Sequence, residues 1–185
     1  MGLLIDSGTG NAKTAGVSDD NRLLTESLSR PQLEQSTTDG DVYWFATNFI
    51  SLTTTASFTG LWYVKNTSAS ETLYIDFLRT CGSKGQEWRL IKNPTTGTLI
   101  TAGTAGTPVN SRFDSGNTFT GSFIVGADAQ TITDGTVMGS WINQTGHSIN
   151  RFEGAIQLTP NTSLALTVKP SVAGDFCVTC MAWQK

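Results

Sequence analysis

The sequence is poor in charged residues, and none of its basic residues cluster. Lys, Arg, Asp and Glu make up 15% of the 185 residues, against about 25% in an average globular domain. The 12 basic residues are scattered and the formal net charge is −3. A nucleic-acid-binding protein usually presents a basic patch, so the sequence predicts no nucleic-acid partner.

Long apolar segments are also missing. No stretch approaches the roughly 18 apolar residues that cross a bilayer. The apolar start within residues 1–8 is too short for a secretory signal and lacks its positive charge. We therefore expect no membrane partner and synthesis in a cytoplasm.

The number of cysteines is odd, which argues against a disulfide scaffold. Cys177 and Cys180 have the C-x-x-C spacing of redox and zinc sites. Zinc, however, needs a second pair of ligands. The surrounding run 175–183 also resembles a strand, in which residues three apart face opposite sides. The sequence favours free thiols that are buried or half-buried.

Threonine and glycine take the place of the missing charge. The chain contains 29 Thr and 19 Gly. Thr is β-branched and suits a pleated strand, and Gly marks turns. This composition favours many short strands.

Apolar runs of strand length recur from Val42 onward, separated by turn signals such as 93–97 and 159–162. In one run, alternation puts Leu73, Ile75 and Phe77 on a common face. The pattern predicts an all-β fold, a two-sheet β-sandwich of jelly-roll-like type with about ten short strands. The predicted strands are 42–50, 58–65, 72–79, 87–93, 97–101, 119–125, 136–143, 149–157, 163–169 and 175–183.

Residues 1–41 differ from the rest of the chain. They are polar and lack a sustained period, and Pro31 disfavours a helix or a central strand there. We predict an extended N-terminal arm over 1–41 and a β-sandwich domain over 42–185. A segment of this kind either stays disordered or orders by lying on a larger surface. The residues expected to anchor it are Asn21, Arg22, Leu23, Leu24 and Leu28.

A long polar stretch, 102–118, is predicted as a loop between strands. Long ordered loops are frequently functional. We expect a second contact surface there, formed by Pro108, Asn110, Arg112 and Phe113.

Catalytic motifs are present only in fragments. Asp6 and Asp114 each precede Ser-Gly, as in an aspartic protease, but neither follows the pair of apolar strands that such a site needs. The glycine-rich segment 8–13 lacks the strand and the Lys-Ser/Thr ending of a phosphate loop. The single histidine, His147, is predicted in a loop between strands. The sequence predicts no enzyme, and no catalytic, cofactor or metal site.

All five tryptophans fall in predicted strands, where core packing is the simplest explanation. Trp62 and Tyr63 are adjacent and must face opposite sides of their sheet. If both faces of that sheet are apolar, a neighbouring subunit or the arm is a candidate to cover one of them. An exposed tryptophan is also how many sugar-binding modules stack on their ligands, so that alternative stays open.

Three segments carry a resemblance to a known group of proteins. They are 8–29, with Asn21-Arg22-Leu23, then 39–75, with a strand pair ending in Tyr63-Val64-Lys65-Asn66, and 154–170, with Leu158-Thr159-Pro160 before a hairpin. Together they resemble small virion proteins of tailed bacteriophages. Residues 80–135 take no part in the resemblance.

The resemblance implies a jelly-roll head decoration (cement) protein. Such a protein binds the outer surface of the capsid as a homo-oligomer, often a trimer, and stabilises the shell. It implies the major capsid protein as partner and the capsid surface as location, after synthesis in the bacterial cytoplasm. The alternatives from the residues are a phage tail or fibre component and a glycan-binding β-sandwich module.

Overall fold

The computed structural model describes residues 3–5, 13–15 and 32–185. Contacts divide the chain into residues 1–31 and 32–185. In the first part, strand β1 (Leu3–Ile5) pairs antiparallel with β2 (Lys13–Ala15). The arm residues predicted as anchors, Asn21, Arg22, Leu23, Leu24 and Leu28, lie outside the described residues.

The second part contains twelve strands and two short helices, α1 (Gln32–Asp39) and α2 (Thr98–Ala102). The strands are β3 (Val42–Ala46), β4 (Ile50–Leu52), β5 (Thr59–Asn66), β6 (Leu73–Gly82), β7 (Gln86–Lys92), β8 (Thr104–Ala105), β9 (Val109–Asn110), β10 (Gly121–Val125), β11 (Thr136–Asn143), β12 (Gly146–Leu158), β13 (Ser163–Pro170) and β14 (Gly174–Gln184). None of the described helices is long and apolar enough to cross a membrane.

These strands form two antiparallel sheets packed as a sandwich. The first sheet has the order β11-β7-β13-β5-β10-β8, and the second has the order β12-β6-β14-β3-β9, with β4 paired to β14. When β10 is set aside and the other eight strands of five or more residues are numbered along the chain, the first sheet reads 2-7-4-5 and the second 1-8-3-6. This is the double Greek-key order of a jelly roll. The predicted all-β, jelly-roll-like sandwich is confirmed.

Aromatic rings fill the space between the sheets. Phe45 of β3 lies at the centre, with its ring edge-on to Phe119 at 4.9 Å, Phe123 at 5.5 Å and Trp62 at 6.5 Å. Such tilted contacts stabilise a core beyond the apolar area that it buries. Leu164, Leu166 and Val168 of β13 face the same core, as their alternation indicates.

The outer face of the first sheet carries a second, smaller core. Tyr63 points away from Trp62 and packs with Leu99 of α2, Ile91 and Ala165. Both aromatic residues are nearly or fully buried, and the cover over Tyr63 comes from the segment between β7 and β11. This face is therefore covered by residues of the domain itself, where the sequence left a neighbouring subunit or the arm open as the cover.

Residues 97–101, predicted as a strand, instead include α2. Gly97 precedes the helix with φ of +137°, and a Cβ there would collide with the Thr131 carbonyl. The helix places Leu99, which is fully buried, against β5. An apolar run this short does not distinguish a strand from one turn of helix.

Residues 32–39, predicted as part of an extended arm, form α1. Gly40 ends the helix with φ of +81°. The Gly40 and Asp41 amides donate to the carbonyls of Thr37 and Ser36 at 3.2 and 2.9 Å, which is the hydrogen-bond pattern of a Schellman cap. Pro31 directly precedes the helix, where the missing N–H does no harm. The helix contacts β3 and β14, so the sandwich domain begins at residue 32.

Two further expectations are corrected by strand geometry. Phe77 does not share a face with Leu73 and Ile75, because the ladder between β6 and β14 shifts register between Met181 and Ala182. Phe77 therefore lies on the outer face of the second sheet. His147 is an exposed residue of β12 and not of a loop.

A buried amide connects the sheets at one end of the sandwich. Asn66, fully buried at the end of β5, donates to the carbonyls of Glu71 at 2.7 Å and Leu158 at 2.8 Å. Its oxygen accepts from the Ser68 amide at 3.0 Å and from Gln184 Nε2 at 3.1 Å. One side chain therefore satisfies polar groups from both sheets.

We expect Asn66→Ala to lower the free energy of unfolding by about 3 kcal/mol, because it leaves several buried polar groups without partners. Urea denaturation measures the loss. The matched control is Asn143→Ala, which removes one bond of 3.4 Å to Thr80 from a half-buried amide and should lower the same free energy by less than about 1 kcal/mol. Equal losses in the two variants would contradict the role of Asn66.

Candidate docking surface

The connection between β7 and β11, residues 93–135, adds strands to both sheets. Its strand β10 pairs with β5 and with β8, and extends the first sheet. Its strand β9 pairs with β3, with Tyr43 opposite Asn110 and Trp44 opposite Val109, and extends the second sheet. The connection therefore covers one edge of each sheet, which would otherwise offer unpaired backbone groups.

Two aspartates hold this connection in place: Asp134 joins its two ends to each other, and Asp128 joins it to the segment that follows β4. Asp134 accepts from the amide and hydroxyl of Thr95 at 2.8 and 2.5 Å and from the amide of Thr96 at 2.9 Å. Asp128 accepts from the amide and hydroxyl of Thr53 and from the amide of Thr54. These donors stabilise the charged carboxylate, above all the hydroxyls of Thr95 and Thr53, and lower the pKa of each aspartate from 3.8 to about 2.

Within the connection, residues 106–118 form a loop held against the end of α1. Asn110 Nδ2 donates to the Gly40 carbonyl at 2.6 Å, and Asn117 Nδ2 donates to the Asp39 carbonyl at 3.1 Å. Arg112 Nη1 donates to the Thr38 carbonyl at 2.7 Å. Gly40 lies so close to Ser115 that a Cβ would overlap its hydroxyl. The loop and the helix end therefore form one hydrogen-bonded unit.

Arg112 is also paired within the loop. Its Nε and Nη2 donate to the two carboxylate oxygens of Asp114 at 2.8 and 3.3 Å. Hydrogen bonding and charge together raise the pKa of Arg112 and lower the pKa of Asp114. Asp114, one of the aspartates considered for a protease, is thus an exposed ion-pair partner. Asp6 lies outside the described residues.

This loop presents apolar side chains to solvent. Phe113 is 100% exposed and Val109 is 59% exposed. Opposite Val109, Trp44 is 37% exposed, its Nε1 donates to Ser111 Oγ at 2.7 Å, and its ring lies edge-on to Phe77 at 5.6 Å. We call residues 106–118 together with Trp44 the loop surface. A recess of about 470 Å³ next to it is lined by Glu34, Thr37, Thr38 and Arg112.

A second group of exposed apolar side chains lies on the opposite edges of the sheets. Val137, Met138 and Ile142 of β11 and Ile149 of β12 are each about half exposed or more. Strand β11 contains no charged residue, and within the described residues no strand pairs with its outer edge. Natural edge strands are usually protected by charge or proline. We call these four residues the edge surface.

The described residues bring no catalytic group together. They contain no cluster of three or more His, Cys, Asp or Glu side chains able to hold a metal. Cys180 is buried, whereas Cys177 is half-buried on the other face of β14. Strand geometry thus separates the two cysteines of the C-x-x-C spacing, as the sequence indicates.

The residues predicted as a second contact lie in one segment of the structure, and the contact itself stays a prediction. Pro108, Asn110, Arg112 and Phe113 all belong to the loop surface, with Phe113 as its most exposed member. The exposure of Trp44 and Val109 is not predictable from the sequence, because it depends on how β3 pairs with β9. The edge surface was not predicted either, although the lack of charge in residues 136–146 is visible in the sequence.

Comparison of the chain with protein-family models, with curated proteins and with solved structures found no match.

The two anchoring aspartates predict how acid affects the domain. Their pKa values are lower in the folded chain, so the ionised carboxylates stabilise the fold above about pH 4, and this stabilisation is lost as the pH falls towards 2. In the double variant Asp128→Asn/Asp134→Asn, the midpoint of urea unfolding should fall less steeply over that range than in the unaltered chain. Thr95→Val, which removes a donor and keeps the carboxylate, should also reduce the slope. An unchanged slope in the double variant would rule out the anchoring role.

Arg112 is predicted to hold the loop surface in place. Arg112→Ala removes the bonds to Thr38 and Asp114, so backbone amides in residues 109–118 should exchange hydrogen faster, while those of β13 should not change. Hydrogen-exchange mass spectrometry measures both regions. The control is Arg79→Ala, an exposed arginine on the outer face of β6. If Arg79→Ala loosens the loop as much as Arg112→Ala does, the contacts of Arg112 are not what orders it.

Proposed function

We propose that this chain is a bacteriophage virion structural protein that decorates the outer surface of the capsid and stabilises the shell. The observation that carries the proposal is the loop surface, where the fully exposed Phe113 is presented from a hydrogen-bonded frame. Exposed apolar side chains grouped on a surface mark interaction sites. The resemblance of segments 8–29, 39–75 and 154–170 to small phage virion proteins gives the class of partner.

The hydrogen bonds that order the loop around Phe113 favour binding, because the groups that form an interface lose conformational entropy on association. A side chain on a loop that is already ordered loses less freedom on binding than one on a mobile loop. Phe113 stands between Arg112 and Asp114, which are fixed by their ion pair and by the Thr38 carbonyl. An aromatic residue held in this way is suited to enter a pocket of a partner as an anchor.

The proposed attachment has two parts. The loop surface, with Pro108, Asn110, Arg112 and Phe113, contacts the major capsid protein directly. The arm residues Asn21, Arg22, Leu23, Leu24 and Leu28 extend the contact across shell subunits. Stabilisation is mechanical, because rupture of the shell must also break these contacts, and interfaces of permanent assemblies often exceed about 2,000 Å².

Self-association is part of the same proposal. The proposed homo-oligomer needs a surface for neighbouring copies in addition to the surface that contacts the shell. The edge surface lies on β11 and β12, at the sheet edges opposite those that the loop-bearing connection extends. Its apolar, uncharged strand is suited to a neighbouring copy in a homo-oligomer, for which a trimer is the expected form.

One observation favours a second function. Trp44 is partly exposed, and its Nε1 is held by Ser111, which fixes the ring. A fixed, exposed indole can stack on a sugar ring, as in a glycan-binding module or a tail or fibre component. The abundance of the protein in virions separates the two functions. A decoration protein is comparable in amount to the major shell protein on a stained gel, whereas a tail component is far rarer.

The direct test is rebinding to phage heads from which the protein has been removed. We expect Phe113→Ala to weaken rebinding about tenfold or more, equivalent to about 1.4 kcal/mol, with bound protein measured by co-sedimentation. Arg22→Ala/Leu23→Ala in the full chain should also weaken it. Phe49→Ala is the matched control, since Phe49 is 68% exposed but lies outside the loop surface.

The proposal fails if Phe113→Ala and the arm variant rebind as tightly as the unaltered protein. It also fails if the unaltered protein does not bind the heads at all. Loss of binding to a glycan array in Trp44→Ala, together with low abundance in virions, would support the second function.

A further inference from the structure

The second sheet brings two distant cysteines together. Cys81 of β6 lies directly opposite Cys177 of β14 in their antiparallel ladder. Residues opposed in this way project from the same face of a sheet, and both thiols are half-buried. Cys180, the third cysteine, is fully buried on the inner side. The pairing in space is therefore Cys81 with Cys177, and not the C-x-x-C pair suggested by the spacing.

The ladder fixes how far apart these residues are. The Ser83 amide donates to the Asp175 carbonyl at 2.9 Å in the same register, two residues further along each strand. Hydrogen-bonded pairs alternate along a ladder, so Cys81 and Cys177 form such a pair, with their Cα atoms about 5.5 Å apart. Disulfides span Cα separations of about 4.4–6.8 Å. The backbone therefore accepts a bridge without moving the strands apart.

The same geometry makes the bridge easy to reduce. Side chains of a hydrogen-bonded pair stand further apart than those of the alternating pair. A disulfide brings the two Cβ atoms to about 3.8 Å, and strain in that arrangement makes the bond more reducible. A bridge at this position is thus expected to open and close with the redox conditions.

We propose that Cys81 and Cys177 form a reversible cross-strand disulfide when the protein meets a low-molecular-weight disulfide such as oxidised glutathione. The Cys81 thiolate attacks one sulfur of the oxidant, forms a mixed disulfide and releases one reduced molecule. Cys177 then loses its proton to solvent and attacks the Cys81 sulfur, which releases the second reduced molecule. The two cysteines lose two electrons and two protons in total, and the oxidant gains them.

The surroundings determine the order of attack. Burial, and then the hydrogen bond and charge of Cys81, raise the pKa of Cys177 to about 11, which the positive charge of Arg79 offsets only in part. Cys177 is therefore a poor first nucleophile, because the thiolate is the reactive form. Cys81 is half-buried on the outer face of the sheet, between Cys177 of β14 and the exposed His147 of β12, so an oxidant can approach it from the solvent above that face. Burial and the charge of Asp76 raise the pKa of Cys180, and its position keeps it away from both thiols.

The test uses the full chain under native conditions. Protein is incubated with oxidised or reduced glutathione, quenched with acid, unfolded and alkylated with iodoacetamide, and its mass and tryptic peptides are measured. After oxidation we expect one alkylated cysteine, Cys180, and a peptide pair joined through Cys81 and Cys177. Dithiothreitol should restore three alkylated cysteines.

Variants separate the two steps. Cys177→Ser should stop at a stable glutathione adduct on Cys81, whereas Cys180→Ala should form the bridge at the same rate as the unaltered chain. The rate of bridge closure should not depend on protein concentration. Three alkylatable cysteines after oxidation, a lasting adduct in the unaltered chain, or a disulfide between two chains would each overturn the proposal.

Discussion

Two buried amides, those of Asn66 and Gln184, hold the sandwich together at one end. Asn66 ends a strand of the first sheet and Gln184 ends a strand of the second, and they share a hydrogen bond of 3.1 Å. Gln184 also binds both backbone groups of Thr120, at 2.9 and 3.1 Å. The same network therefore fastens the connection that carries the loop surface at Thr120, the residue before β10. Buried amides that find every partner specify one arrangement, because any other arrangement leaves some of them unsatisfied.

The two edges of each sheet differ in whether another segment covers them, and this difference determines where the exposed apolar side chains lie. The connection from residue 93 to 135 extends the β3 and β5 edges, covers Tyr63 with Leu99 and carries Phe113 outward. The β11 and β12 edges receive no such cover from the described residues. Both edge strands contain a bulge, and bulges discourage indiscriminate pairing with other strands. An edge that is apolar yet bulged is suited to one specific neighbour more than to an open-ended stack of strands.

Period-two alternation and turn residues were sufficient to predict the sandwich and most of its strands, because burial on one face leaves a direct mark on the sequence. The failures have local causes. Phe77 lies on the outer face because a register shift adds a residue to β6, and the alternation of apolar residues in the sequence cannot show where such a shift occurs. The segment around Leu99 is a helix that covers the outer face of the first sheet, and an apolar run this short does not distinguish a helix from a strand. The prediction of an extended segment after Pro31 is wrong because proline, which disfavours the interior of a helix, is well tolerated where a helix begins. The cysteine pair was missed because pairing between β6 and β14 cannot be read from spacing.

The proposed attachment gains from how the helix and the loop are joined. Helix α1 has eight residues and so spans about 12 Å, and its C-terminal end is bonded to Asn110 and Arg112. Residue 32, where the helix begins, therefore lies about 12 Å from the helix end that holds this loop. Under the proposed function, Phe113 and residues 1–31 would be two linked binding sites on one chain. Binding at one such site raises the effective concentration of the other, so that two weak sites together bind tightly. The Schellman cap at Gly40 ends the helix at the residue whose carbonyl accepts from Asn110, so the cap also determines how the helix meets the loop.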